Sequence, residues 1–401
     1  MRILHTADWH LGKRLDFFSR HEEQVEVMNE ICRIAEEKAV DMVIVAGDLF
    51  DAFNPPVGST ELLYKTLKKL TRNTTVPVVA IAGNHDSPDR VNVADVLARE
   101  NGIIFIGKPT DEVPLFETEN GFEVVATDTG FIEISLPKYS YPVRLLHTAF
   151  ANEVRLKEYF GEDKQLSLQE SLTQKWESLA NKYCDNEGVN LLTSHLFMLK
   201  RGGEVPEEPD GEKPINIGTA DLIYSDAIPS EVQYVALGHL HRYNDVGTAQ
   251  PVVYSGSPLS YSFSEASQQK YVAIVDIEPD KEAKIEKVAL KSGRKVVRKT
   301  FDDIDAAVEW LTENQNSLIE LTLVMDEYLK ADDRRRIVQA NDGIIHIIPK
   351  VVNEISSNSS NHAIDLSKDV NSLFVDYFKS KNAGQEPNEE LMKLFNEILN
   401  N

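Results

Sequence analysis

Only two cysteines, Cys32 and Cys184, occur in 401 residues, and they form no CxxC pair. The chain therefore offers neither a disulfide framework nor a cysteine-based metal knuckle. Cys32 sits in a helical stretch and reads as a reduced thiol in a core. No run approaches the roughly 18 apolar residues that a membrane span needs, and no secretory pattern opens the chain. The expectation is a cytoplasmic protein with no membrane partner. A glycine-rich phosphate loop of the GxxxxGK[ST] type is missing as well, so any ATP must be handled elsewhere. Positive charge is scarce: 42 Lys and Arg stand against 65 Asp and Glu, a net charge of −23. That balance excludes a freestanding protein that holds nucleic acid by electrostatics alone. It leaves room for an enzyme that meets a polyanion through metal ions or a partner.

The chain is too long for one compact core, so two or three domains are expected. Its first ninety residues read as β–α–β–α–β. Residues 3–7 form a short strand ending at Asp8. Val25, Met28, Ile31, Cys32 and Ala35 then recur at helical spacing. Residues 42–46 and 78–82 are continuously apolar strands, separated by a helix carrying Leu62, Leu63, Leu67 and Leu70. Strands of that kind belong to a sheet covered on both faces, as in α/β proteins. Further strands are expected near 189–193, 232–237, 252–254 and 271–277, and a surface loop over 202–214. Beyond Pro279 the texture changes, and residues 280–352 read as a smaller α+β domain. A polar linker over 353–368 and two helical stretches, near 369–381 and 388–400, close the chain.

Strand after strand ends in metal-ligand residue types: Asp8-x-His10, Gly47-Asp48, Gly83-Asn84-His85-Asp86, Ser194-His195 and Gly238-His239-Leu240-His241. A lone histidine at a strand end is ordinarily a packed or capping side chain, and Asp48 or Asn84 alone would pass for a turn residue. The set is different, because five of the ten histidines fall in these short motifs. In open α/β sheets the carboxyl ends of strands line the ligand crevice, so the five ends converge. Imidazole, carboxylate and amide oxygen suit Mn²⁺, Fe or Zn²⁺, and the donors suffice for two ions. Two such ions, about 3.5–4 Å apart, fit in-line attack at phosphorus. His5 and His147, in apolar strands, read as packed side chains.

This order of motifs, complete over residues 8–241, resembles the calcineurin-like metallophosphoesterase superfamily, which implies a two-sheet βαβ sandwich. The resemblance gives Asp8, His10 and His241 to one ion, Asn84, His195 and His239 to the other, and Asp48 to both. It makes His85 the acid that protonates the leaving oxygen, a role worth about 10²–10⁴ in rate. Asp51 and Asp86 would orient the ligands from behind. The stretches MRILHTADWHLG, VAGDLFD, VALGHLHR, YSGSPLSYSF and TLVMDEYL narrow the resemblance to the SbcD family of bacterial nuclease subunits. That implies a domain at 1–279 acting as a Mn²⁺-dependent nuclease, a capping domain at 280–352, and an SbcC-type SMC-like ATPase as partner. It further implies a homodimer within a heterotetramer, working on double-stranded DNA ends and hairpins in repair and recombination, close to the nucleoid.

Independently, Leu373, Phe374, Tyr377 and Phe378 share one helical face, and Leu391, Leu394 and Phe395 share another, the pattern of helices that dock on a partner. The same faces would also serve to fold back on their own domain. A basic run at 281–299 includes Lys291, Arg294, Lys295 and Arg298. With Arg14, Arg90 and Arg242, which flank the metal motifs, it supplies the candidate DNA contacts. A solvated strand face is the plainer reading of such a run. Two other functions fit the same motifs, a phosphoesterase for small phosphodiesters and a non-catalytic scaffold for the ATPase.

Overall fold

The computed structural model describes residues 1–119, 121–158, 164–203, 222–327, 329–351, 370–381, 387, 391–392 and 395. The expected linker over 353–368, Leu394 and most of the 202–214 loop lie outside that set.

Two twisted sheets face each other. The first has six strands in the order Lys284–Ala289, Tyr271–Asp276, Arg2–Thr6, Met42–Ala46, Val78–Ile81, Ile103–Ile106. Its last four are parallel, and the first two pair antiparallel. The second has eight strands, with Tyr234–Gly238, Val189–His195 and Val143–Thr148 parallel at its centre. Ile3, Ile44, Val79 and Ile81 of one sheet meet Leu145, Leu191, Ala236 and Val253 of the other in a dry core. Alternate residues point outward: Leu4, Val43, Val45 and Val78 lie under the helices His21–Glu37 and Val57–Leu70. On the other side Leu146, Leu192 and Val235 lie under the helix Lys164–Tyr183. With helices outside and a second sheet inside, both side-chain sets of each central strand are buried, hence the uninterrupted apolar runs. In the first helix Val27 is fully buried, whereas Val25 is only partly so.

The structure corrects two expectations. A domain boundary at 279/280 would cut the first sheet, because Lys284–Ala289 pairs along its whole length with Tyr271–Asp276. The change of sheet falls instead at residues 290–294. There the buried carboxylate of Glu30 accepts the Lys291 and Ser292 N–H groups at 3.0 and 2.8 Å. The smaller domain is α/β rather than α+β. Strands Lys295–Phe301, Ser317–Met325 and Ile344–Val351 are all parallel and alternate with helices Ile304–Glu313 and Ala331–Ala340. Parallel pairing requires such crossovers, but the direction in which two strands pair leaves no mark on either strand's own residues. Near the C-terminus, helix Val370–Lys381 brings the Phe374 ring onto that of Phe395, with centroids 3.9 Å apart. Leu373, Phe378 and Leu391 are partly buried, while Tyr377 is exposed. Among the described residues no helix is long and apolar enough to cross a membrane.

Candidate dinuclear metal centre

The five strand ends meet at one edge of the sandwich. Asp8 and His10 follow Arg2–Thr6, Asp48 follows Met42–Ala46, and Asn84 follows Val78–Ile81. Across the gap, His195 ends Val189–His195, and His239 and His241 follow Tyr234–Gly238. Four of these ligand candidates, Asp8, His10, Asp48 and His239, have φ between 44° and 106°. Non-glycine residues avoid that region, and surrounding structure sustains it mainly where a side chain must be aimed at a site. The glycines of the motifs have a separate duty. A Cβ on Gly47 would stand 2.2 Å from His195 Nδ1, and one on Gly83 would stand 2.1 Å from Asp48 Oδ1. Glycine therefore precedes these ligands because a Cβ would strike a ligand, across the sheets at Gly47 and on the neighbouring strand's end at Gly83.

Asp8, His10 and His241 form one group, and His10 Nε2 lies 2.9 Å from His241 Nε2. His195 Nε2 and His239 Nδ1 converge on Asn84 Oδ1 at 3.0 and 3.1 Å. Asp48 Oδ2 stands between the groups, 3.5 Å from His10 Nε2 and 3.3 Å from His195 Nε2. Asp8 Oδ2 is buried without a hydrogen-bond partner, and His10 Nδ1 faces only the Asp51 carboxylate, 3.6 Å away. Lone pairs turned on one another in a dry place call for cations or protons. Accordingly, burial and then Asp48 leave Asp8 pushed up to about 7. Burial opposes charge on His195, yet Asp48 outweighs it and raises the ring to about 9. These donors fit two divalent ions, which would replace those protons.

The ring orientations are fixed from behind. His195 Nδ1–H donates to the Ala46 carbonyl at 2.9 Å, so its Nε2 is the nitrogen left for a metal. His85 Nδ1–H likewise donates to the Asp51 carbonyl at 2.9 Å, and its backbone N–H donates to Asp48 Oδ1 at 2.8 Å. Asp86, fully buried, accepts the Gly83, Leu49 and Phe50 N–H groups at 2.8, 3.0 and 2.9 Å, tying two ligand loops together. Asp51 makes an ion pair with Lys13 at 3.2 Å.

Sequence reasoning missed Gln24, Glu265 and Lys270. Gln24 Nε2 donates to the His10 carbonyl at 2.9 Å, and its Oε1 accepts the Gly12 N–H at 3.1 Å. His241 Nδ1–H donates to Glu265 Oε1 at 3.2 Å, and the buried Lys270 ammonium sits on the other carboxylate oxygen. Glu265 lies just past YSGSPLSYSF, but a glutamate among serines carries no signal of a partner 24 residues away. Replacing Glu265 with glutamine should weaken metal binding by about 10–100-fold, read by calorimetric titration with Mn²⁺. Unchanged affinity would remove Glu265 from the centre.

The candidate DNA contacts are not brought together. Arg294 pairs with Asp342 at 3.1 Å and Arg298 with Glu320 at 2.7 Å, while Arg14 donates to the Phe17 carbonyl. Arg90 and Arg242 are exposed beside the metal loops, and Lys291 and Lys295 are exposed on the smaller domain's side. His5 is packed as expected, donating through Nε2 to the Leu237 carbonyl at 3.1 Å, and His147 is buried in its strand.

A family model described as calcineurin-like phosphoesterase matches residues 1–243. The SbcD chain of the SbcCD nuclease of Bacillus subtilis (strain 168) is 35% identical over 408 residues, covering 99% of this chain and 97% of that protein. Two solved structures are more distant. A dimetal phosphatase from Danio rerio is 12% identical, covers 73% of this chain and 99% of its own, and has a TM-score of 0.42. The protein TT1561 of Thermus thermophilus is 11% identical, covers 72% and 99%, and has a TM-score of 0.37. Neither bears weight at that distance. The family match and the end-to-end relative together establish that the chain belongs to the calcineurin-like phosphoesterase family and, within it, to the SbcD family.

Proposed function

We propose that this chain is the nuclease component of a DNA-end-processing complex, hydrolysing phosphodiester bonds as a double-strand exonuclease and as an endonuclease on single strands and hairpins. The observation that carries the substrate class is the 35% identity over 99% of the chain to a protein named as part of a nuclease. A likeness confined to the metal motifs would leave the substrate open across the superfamily.

Asp8, His10 and His241 would hold one ion, Asn84, His195 and His239 the other, and Asp48 both. Divalent ions there, Mn²⁺ in this reading, would supply Lewis-acid charge and lower the pKa of a bound water. His85 has its Nδ1 proton committed to the Asp51 carbonyl, so the proton it can give up is on Nε2. A ring held in that way, with Nε2 turned from the carbonyl, suits a general acid for the departing sugar oxygen. Arg90, Arg242, Lys291 and Lys295 are the cations that remain candidates for backbone phosphate.

The partner in this reading is an SbcC-type SMC-like ATPase, in a heterotetramer built on a homodimer of this chain. The Phe374 ring stacked on that of Phe395 supports a docking role for helix Val370–Lys381, on which Tyr377 is exposed.

The test is degradation of a blunt linear duplex in Mn²⁺, with and without the ATPase. Shortening of the duplex, greater with the partner, is expected. Hydrolysis of an aryl phosphodiester but of no DNA under any condition would leave the metal chemistry standing and sink the nuclease reading.

A further inference from the structure

Strand Val143–Thr148 lies beside Val189–His195 in the second sheet, and its carboxyl end reaches the same rim as the metal ligands. It contributes none of them. Beyond it the chain passes Phe150, whose N–H donates to the Ala82 carbonyl at 2.9 Å, and enters the four-residue helix Glu153–Leu156. Asn152 caps that turn, its Oδ1 accepting the Arg155 N–H at 2.9 Å. From there the half-buried Arg155 side chain reaches across to the first sheet. Its Nη1 donates to the Gly83 carbonyl and its Nη2 to the Asp86 carbonyl, both at 2.9 Å. Those two carbonyls are the ends of the turn that carries Asn84 and His85. The guanidinium centre also lies 5.0 Å from the Phe150 ring centroid, and that ring lies edge-on to His195, 6.5 Å away.

We propose that Arg155 is a positioning residue of the active centre: its two-pronged bond to Gly83 and Asp86 sets where Asn84 and His85 point. The assignment rests on the phosphodiesterase reading above. Asp86 ties the turn to the loop after Asp48 from one side, and Arg155 holds it to the opposite sheet from the other. A planar guanidinium can span two carbonyls at once, whereas a lysine ammonium is a single point on a flexible stem. The Phe150 face keeps the guanidinium plane from turning away. A misplacement of about 1 Å at a reacting group costs up to roughly 10²-fold in rate. The clamp therefore acts on turnover rather than on substrate binding.

Steady-state hydrolysis of a duplex in Mn²⁺ would be compared for wild type, Arg155→Lys, Arg155→Met and Arg155→Ala, with folding checked by circular dichroism and thermal melting. In the folded variants kcat is expected to fall by about 10–10²-fold with KM unchanged, and lysine should restore little of it. Adding methylguanidinium should recover part of the loss in Arg155→Ala and none in a His85 variant. Mn²⁺ binding, followed by the spectrum of free ion, should show one of two sites weakened by about tenfold, the Asn84 side of the pair. Turnover within twofold of wild type in Arg155→Met and Arg155→Ala would overturn the proposal. So would a rise in KM at constant kcat, which would make Arg155 a substrate contact instead. Should wild type itself hydrolyse no phosphodiester, the phosphodiesterase reading fails, and the Mn²⁺ titration still decides the clamp.

Discussion

Asp48→Ala is expected to lose both metal ions and to retain less than about a thousandth of wild-type hydrolysis, on the order of 4 kcal/mol of transition-state stabilisation. The reason is position. Asp48 Oδ2 faces His10 on one side and His195 on the other at 3.5 and 3.3 Å, and Oδ1 receives the His85 N–H at 2.8 Å. Among the described residues, no other side chain touches both ligand groups and His85. The side chain is almost completely buried, so water cannot replace it as a ligand without rearrangement. Without metal, however, two carboxylates crowd one dry site, and Asp48 is among the causes that raise Asp8. Thermal melting separates the two roles. Wild type should gain stability with Mn²⁺ by mass action, while the variant, which lacks the acceptor of the His85 N–H and the partner of the His195 ring, should melt lower than metal-free wild type and gain nothing from the ion. An Asp48→Ala protein that still takes up two ions would refute its bridging place.

His85→Ala should behave differently: both ions retained, KM little changed, and kcat on DNA lower by about 10²–10⁴-fold. His85 is not among the side chains that close on Asn84 or on His241. It stands against His10, with ring centroids 4.8 Å apart, and is held by the Asp51 carbonyl. An acid matters in proportion to the basicity of the leaving oxygen. The loss should therefore be large for a sugar alkoxide and should shrink toward nothing for a nitrophenyl phosphodiester, whose leaving group departs unaided. Equal losses on the two substrates would mean that the ring serves in binding or in shaping the centre, not as a proton donor.

The candidate ligand set was legible in the sequence because metal binding demands particular side chains. Imidazole, carboxylate and amide oxygen are among the few side-chain groups that serve, and the glycines beside them are required where a Cβ would strike His195 or Asp48. The apolar strands were legible for a similar reason, since burial on both faces leaves no room for polar residues. The residues that escaped notice act mostly through backbone. Arg155 binds the carbonyls of Gly83 and Asp86, Gln24 binds the main chain of His10 and Gly12, and Glu30 binds the N–H groups of Lys291 and Ser292. Every residue presents a carbonyl, and nearly every one an N–H, so such a partnership leaves no mark on the partner's identity.

The same contrast separates the basic run at 281–299 from the metal motifs. Its charge was plain in the sequence, but Arg294 and Arg298 turn out to face Asp342 and Glu320. Pairing of that kind depends on which segment lies alongside, as the parallel register of Lys295–Phe301 with Ser317–Met325 sets Arg298 opposite Glu320. By itself, then, the sequence determined the chemistry: which residues can bind metal, that they end successive buried strands, and that two ions suit them. Tertiary structure alone decided how the ligand atoms are aimed and which cations stay exposed beside them, because both depend on contacts between distant segments, 231 residues apart for His10 and His241.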